Sequence, residues 1–470
     1  MGEKNLKKNF IYNIIYQVLI IFLPLITTPI ITRRLGATNL GIYSYSYSIV
    51  NYFMLFGILG ISNYGNREIA KCRDDRKKLS TTFWSIYKIQ FLFSFLVTIL
   101  YILYTIFLSK YKIVSYIQLF FIISVFFDIN WFFFGLEDFK ITVSRNILIK
   151  IISFILIILL VLNSDDLWKY TIIMSLSTFL SQFILWLFLF KRINHVKVRL
   201  KDGLKHLKKI LIFFIPVISY SIYKIMDKIM IGFLSEIEAV AFYENAEKIA
   251  NIPIAIITAL GTVMLPRISN LVAKNEHTKV KDYINKSFQL VLFIIIPIIL
   301  LILLYGKELC VIYLGSEFEQ SGFLLQLLSS TILFVSLANV IRTQFLIPYS
   351  KDKDYIYSTI IGAILNLILN LIFIPRYGAT GACIGTIAAE FSVMFYQIYS
   401  TRKDLNYKYL IKQLLLFTMR AIIPALIVIF IPSLTKNRIF DLFIHCALYM
   451  IFYALINIKY ALLLLKSKDF

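Results

Sequence analysis

The sequence predicts an all-α integral membrane protein with fourteen transmembrane helices, on three observations. Hydrophobic residues make up 59% of the 470 and charged ones only 16%, with a mean hydropathy of +0.78. Such a chain cannot present enough polar surface to dissolve as a globule. Apolar runs recur at about the 20 residues a helix needs to cross a bilayer core roughly 30 Å thick. The runs are continuous, without the period-two alternation of a membrane barrel, so each backbone group finds its partner inside its own segment. In chain order they centre on 10–31, 40–62, 81–108, 113–134, 141–162, 167–190, 209–232, 242–265, 287–305, 322–347, 355–375, 378–400, 411–432 and 441–465.

The net charge of +23 raises nucleic acid as a partner, but its distribution excludes that reading. With the amino terminus placed inside, the inward connections and both tails hold 32 Lys and Arg and the outward connections hold 9. That is the positive-inside asymmetry of a multi-pass protein with both termini cytoplasmic. Attraction to anionic membrane lipid follows as a side effect. The connection INHVKVRLKDGLKHLKK is its strongest element.

MGEKNLKKNF before an apolar run resembles a secretory signal, yet no small-residue cleavage site follows, so the first span is expected to be retained. Cys72, Cys310, Cys383 and Cys446 show no paired spacing, and neither a disulfide nor a metal site is expected. No connection is long enough for a soluble catalytic domain, and no phosphate-binding glycine loop occurs. No cofactor is called for, and the chain is not read as an enzyme.

An offset of 200 residues superposes Ile31 on Ile231, Tyr43 on Tyr243, Ile49 on Ile249, Asn51 on Asn251 and Arg67 on Arg267. Read as an internal repeat, this divides the chain into a first lobe at 1–190, a basic linker at 191–208, a second lobe at 209–400 and two appended helices at 401–470. Pro24, Pro29, Pro216, Pro253, Pro297 and Pro424 fall within spans, where each frees a carbonyl and serves as a static bend or a hinge.

Charges inside the spans carry the functional signal, because one at the centre of a helix costs about 2.5–3.5 kcal/mol on insertion scales. Lys88, Lys150, Arg342 and Lys459 lie near inward ends and can snorkel. Arg420, Glu390, Asp128 and Lys224 lie deeper, Lys224 roughly 12 Å from the outer end of its span. Asp227 and Lys228 follow Lys224 at spacings that place all three on one helical stripe. Glu244, Glu247, Lys248 and Asn251 form a second stripe one span later. Two such stripes make either a salt-bridged seam or the lining of a wet cavity, and the excess of cations favours a cavity that accepts an anion. Tyr45, Ser48 and Tyr52 share a face and either belong to an interfacial tyrosine girdle or offer rings and hydroxyls to a sugar.

The block NFIYNIIYQVLIIFLPLITTPIITRRLGATNLGIYSYSYSIVNYFMLFGILG resembles the start of Wzx-type polysaccharide biosynthesis flippases, within the multidrug/oligosaccharidyl-lipid/polysaccharide exporter superfamily. DKIMIGFLSEIEAVAFYENAEKIANIP resembles that family's seventh and eighth helices. YGKELCVIYLGSEFEQSGFLLQLLS and LNLILNLIFIPRYGATGACIGTIAAE resemble its ninth to twelfth. The resemblance implies a V-shaped pair of six-helix lobes that moves polyprenyl-diphosphate-linked oligosaccharide across the bacterial cytoplasmic membrane by alternating access. It implies a cationic cavity, to which Lys224, Lys228 and Lys248 map by position, with Arg33, Arg34 and Arg420 as further candidates. Asp128, Asp227, Glu390 and Glu247 are the acids available to couple an ion, and membrane potential is the alternative. A surface-polysaccharide polymerase and chain-length machinery are the implied protein partners. The rival readings are a cation-coupled drug exporter of the same superfamily and, from a different class, a membrane glycan polymerase or ligase. The first expects a carboxylate-led cavity and the second a long outward loop.

Overall fold

The structure, a computed structural model, describes residues 3–460, with side chains from residue 23 onward except those of Tyr220 and Tyr223. The end of the 441–465 span and the basic C-terminal tail lie outside the described residues. Among those described there are helices and turns and no strand, as the continuous apolar runs require. The chain divides into two compact units, residues 1–241 and 242–470.

In the first unit, α1 (Glu3–Ile58) carries the first two predicted spans. They meet at Gly36, whose φ of 74° lies in the region a residue without Cβ adopts freely. After Leu59 and Gly60 comes the short helix α2 (Ile61–Cys72), where a Cβ at Gly60 would lie 2.3 Å from the Ile210 carbonyl. Asp75 caps α3 (Arg76–Phe107), accepting from the amides of Lys77 and Lys78 at 2.9 and 3.0 Å. The fourth predicted span is broken into α4 (Lys112–Phe127) and α5 (Asn130–Gly135). Then follow α6 (Phe139–Leu160) and α7 (Leu167–Leu189), and the seventh span is again two pieces, α8 (Leu200–Lys224) and α9 (Met226–Leu234). An aromatic core of Tyr64, Phe83, Trp131, Phe132 and Phe133 joins α2, α3 and α5, with Phe83 stacked on Trp131 at 5.3 Å. Since α8 and α9 pack on helices of this unit, the division falls later in the chain than the basic connection 191–208.

The second unit takes most of α10 (Ile237–Ala273), then α11 (His277–Leu314), α12 (Glu319–Ile341), α13 (Asp352–Tyr377), α14 (Ala379–Thr401), α15 (Tyr407–Ile429) and α16 (Arg438–Ile456). A π-helical turn at Arg342–Leu346 extends α12. Small residues set the helix spacing, as is usual where lipid removes the hydrophobic drive for association. A Cβ on Gly381 would lie 2.4 Å from the Phe373 carbonyl of α13, and one on Gly322 2.5 Å from the Lys307 Cα of α11.

By length and composition, twelve helices among the described residues qualify as spans. The expected fourteen differ in two places. The first qualifying stretch, Leu23–Cys72, runs from the end of the 10–31 segment through the whole of 40–62, and α8–α9, interrupted and lysine-rich, qualifies in neither piece. The 200-residue offset has a structural echo. Tyr43 packs edge-on against Tyr170 of α7 at 4.7 Å, and the Tyr243 hydroxyl meets Thr386 Oγ1 of α14 at 2.9 Å, so each tyrosine touches the sixth predicted span of its own half.

Gly381→Val should force α13 and α14 apart at a cost of about 1–3 kcal/mol. A lower melting temperature of the purified protein in detergent is the expected outcome, and an unchanged one would contradict the packing described.

Candidate functional site

The seventh span gives way at Ile225 (φ −117°, ψ −34°), between the residues that the sequence placed on one continuous stripe. Lys224 is therefore the last residue of α8, and Asp227 stands in the first turn of α9. A cation at a helix C-terminus and an anion at an N-terminus both oppose the macrodipoles of the two pieces, so part of this charge is explained by the break itself. Asp227 is 1% exposed, while Lys224 and Lys228 are half-buried. Tyr52 of α1 donates its hydroxyl to the Ser221 carbonyl at 3.0 Å in the last turn of α8, and Asp227 is its electrostatic neighbour. One turn further along α9 the ring of Tyr45 rests on Gly232, where a Cβ would come within 2.2 Å of it. Tyr45 and Tyr52 thus fasten α1 to the broken span that carries Lys224, Asp227 and Lys228.

The fourth span breaks in a similar way. Asp128, between α4 and α5, accepts from the Asn130 amide at 3.1 Å and from Asn130 Nδ2 at 2.8 Å. The exposed carbonyls of the break are met by Gln90 of α3, whose Nε2 donates to Val125 and Asp128 at 2.7 and 2.8 Å, and by Trp186, which donates to Phe127 at 3.1 Å. Arg145 of α6, 6% exposed, completes this polar node. Its guanidinium donates to Asn130 Oδ1 at 3.0 Å, to Asn146 Oδ1 at 2.7 Å and to the Ser181 carbonyl. Arg145 stands inside the 141–162 run but is not among the in-span charges singled out from the sequence. Beside the node a cleft of about 230 Å³ opens between α1, α6 and α7, with Thr27, Asn146, Lys150, Ser153, Ser177 and Gln182 on its wall. Lys150 faces this cleft.

The remaining cation candidates have other engagements. Arg34 donates to the carbonyls of Ile158 and Val161, both at 2.7 Å, and so caps the C-terminus of α6. Arg33 is exposed and reaches back to the Pro29 carbonyl at 3.3 Å. Arg420 of α15 donates to Asn457 Oδ1 at 3.1 Å, beyond the end of α16. On α10, Lys248 pairs with Glu244 at 2.6 Å, and Glu247 and Asn251 are half-buried on the same stripe. Glu390, 5% exposed, follows Thr386 by one turn of α14. In the same unit Asn366 and Asn370 of α13 are fully buried, and Asn370 reaches into the space left by Gly385. These two neutral residues carried no charge signal, and their helical spacing in LNLILNL was the mark available in the sequence.

Many spanning helices, two of them broken at charged residues, define a multi-pass membrane transporter fold. Residues 6–272 match the family described as "Polysaccharide biosynthesis protein", and residues 213–372 match "MatE". The chain belongs to the polysaccharide biosynthesis protein family and is a Wzx-type member of the multidrug/oligosaccharidyl-lipid/polysaccharide exporter superfamily. It is 24% identical over 394 residues, 83% of its length and 95% of the relative's, to a "Putative O-antigen transporter" of Escherichia coli (strain K12). Over 272 residues it is 26% identical to a protein of the same description from Shigella dysenteriae, covering 57% of this chain and 67% of the relative. Among solved structures, "Lipid II flippase MurJ, inward closed conformation" shares the fold with a TM-score of 0.75 at 16% identity, over 96% of this chain and all of that one.

Arg145→Ala would leave Asn130, Asn146 and the Ser181 carbonyl without their buried partner. Leaving a buried acceptor unsatisfied costs about 1–3 kcal/mol, so with several affected the variant should be present in membranes at a much lower level than the parent, measured by quantitative blotting. Arg34→Ala removes charge-assisted bonds worth about 1.5–3 kcal/mol and should show a smaller fall in the same assay.

Proposed function

We propose that the protein is a flippase for lipid-linked oligosaccharides, carrying polyprenyl-diphosphate-linked repeat units from the inner to the outer leaflet of the bacterial cytoplasmic membrane for O-antigen or capsule assembly. The observation that carries the reading is the broken seventh span with Lys224, Asp227 and Lys228 at the break. Irregular backbone and ionised side chains at membrane depth are tolerated where they line a water-filled or protein-enclosed space, and there they mark the path of a charged substrate. The relatives described as O-antigen transporters, and the "Probable low-salt glycan biosynthesis flippase Agl15" of Haloferax volcanii at 27% identity over 241 residues, support the cargo class.

The chemistry follows from the cargo. A diphosphate carries negative charge and a sugar chain many hydroxyls, and each polar group left unpaired in hydrocarbon costs a few kcal/mol. The protein supplies cations for the diphosphate and polar groups for the sugars while the isoprenoid tail stays in lipid. Lys224 and Lys228 attract the diphosphate, and Asp227 between them offsets their charge when no substrate is bound. In the first unit Arg33 is a further candidate cation and Arg34 is confined to its capping role; the second unit, taken by itself, offers Lys248, held beside Glu244, with Asn251 on the same stripe, and Arg420. Tyr45 and Tyr52 hold the broken span in register. Asp128, Glu247 and Glu390 are the remaining acids for ion coupling. Both termini are cytoplasmic, and the surface-polysaccharide polymerase with its chain-length machinery receives the product.

Lys224→Ala with Lys228→Ala, expressed at parental abundance in a deletion strain, should fail to restore surface polysaccharide and should leave lipid-linked repeat units accumulated on the inner leaflet. Normal polysaccharide from the double variant would refute the assigned role.

A further inference from the structure

The basic connection between α7 and α8 is fastened to α3 as an extended strap. Asn194 anchors it twice, donating its amide to Ser80 Oγ at 3.1 Å and accepting from Trp84 Nε1 at 3.0 Å. Four residues on, Lys88 Nζ donates to the Val198 carbonyl at 2.6 Å. From residue 195 the extended backbone alternates its side chains, so Val196 and Val198 are half-buried while His195, Lys197 and Arg199 are exposed; Ile193, before this stretch, is buried. Between strap and helix runs a cleft of about 440 Å³ lined by Trp84, Tyr87, Lys88, Phe91, His195 and Lys197, with no carboxylate on its wall. His195 stands edge-on to Trp84 at 5.0 Å.

Charge around the cleft is one-sided. Every Lys and Arg from Lys191 to Lys209 is exposed. Arg192 is paired with Asp138 and Lys205 with Asp202, whereas Lys191, Lys197, Arg199, Lys201, Lys208 and Lys209 have no acidic partner within ion-pair distance among the described residues. The aromatic wall continues beyond the cleft. Phe91, Phe95, Ile99 and Ile102 are exposed at helical spacing along one edge of α3, a stripe of roughly 16 Å.

We propose that this cleft binds an anionic phospholipid, its phosphate held at the rim by Lys197 with Lys88 and His195, and one acyl chain lying on the Phe91 to Ile102 stripe. A soluble anion would leave the aromatic wall wet, and a neutral lipid would leave the cations without counter-charge. Only an amphiphile with a negative head satisfies both surfaces at once. The site is independent of the transported cargo and sits on the strap that orients α8.

The test uses the purified full-length chain in detergent, titrated with phosphatidylglycerol and with phosphatidylcholine of the same acyl chains and read by native mass spectrometry. Phosphatidylglycerol should bind at least tenfold more tightly. Lys197→Ala should weaken it about fivefold, the effect of one cation near an anionic head, and Phe91→Ala should weaken both lipids. Lys208→Ala with Lys209→Ala removes more charge away from the cleft and should change binding less than twofold. Equal losses in the Lys197 and Lys208/Lys209 variants would reduce the effect to diffuse attraction and overturn the site. So would equal binding of the two lipids, displacement of phosphatidylglycerol by inorganic phosphate, or occupation of the cleft by a co-purified polyprenyl diphosphate.

Discussion

Everything polar in the interior of this protein answers to one constraint, that backbone amides and carbonyls within a bilayer must find partners in the protein. An unbroken helix meets it automatically, and a broken one must recruit side chains. At the fourth span the recruits are Gln90, Trp186 and the Asp128–Asn130 pair, backed by Arg145. At the seventh, Ile225 keeps its amide bond to the Ser221 carbonyl at 2.9 Å and the Tyr52 hydroxyl adds a second donor to the same oxygen. Each second piece begins beside an aspartate, Asp128 before α5 and Asp227 in α9. The break needs the charge to complement its helix ends, and the charge needs the break for company in hydrocarbon.

The helices were legible because apolar runs of span length have few other uses. Each predicted segment, over its described residues, falls on a helix or on an adjoining pair. What stayed hidden were the interruptions. VFFDINWFF and YKIMDKIM contain neither proline nor glycine, and their hydrophobicity runs on through Asp128 and Ile225, so composition reads each as one piece. The first connection misled in the opposite sense. RRLGATN reads as a loop, yet the chain turns on Gly36 alone and both arms remain helical up to it.

Site residues were legible as a type and only partly as roles. Depth and sign single out Lys224, Asp227 and Lys228, which stand on the broken span that Tyr45 and Tyr52 contact at Gly232 and Ser221. Sequence could not show which cations already have backbone to serve. Arg34 and Arg145 bind carbonyls contributed by helices more than a hundred and about thirty-six residues away respectively, contacts that no local pattern encodes. The neutral asparagines of α13 left a fainter trace still, since an amide in an apolar run carries no charge to count.

The strap along α3 also decides where the seventh span can bend. Gly203 of α8 lies so close to α3 that a Cβ there would stand 2.8 Å from the Ser85 carbonyl, and three hydrogen bonds hold the residues just before it. The leading half of α8 is thereby clamped like the fixed arm of a lever. Beyond Ile225 the nine-residue α9, which carries Asp227 and Lys228, is positioned instead by α1, with the ring of Tyr45 against Gly232.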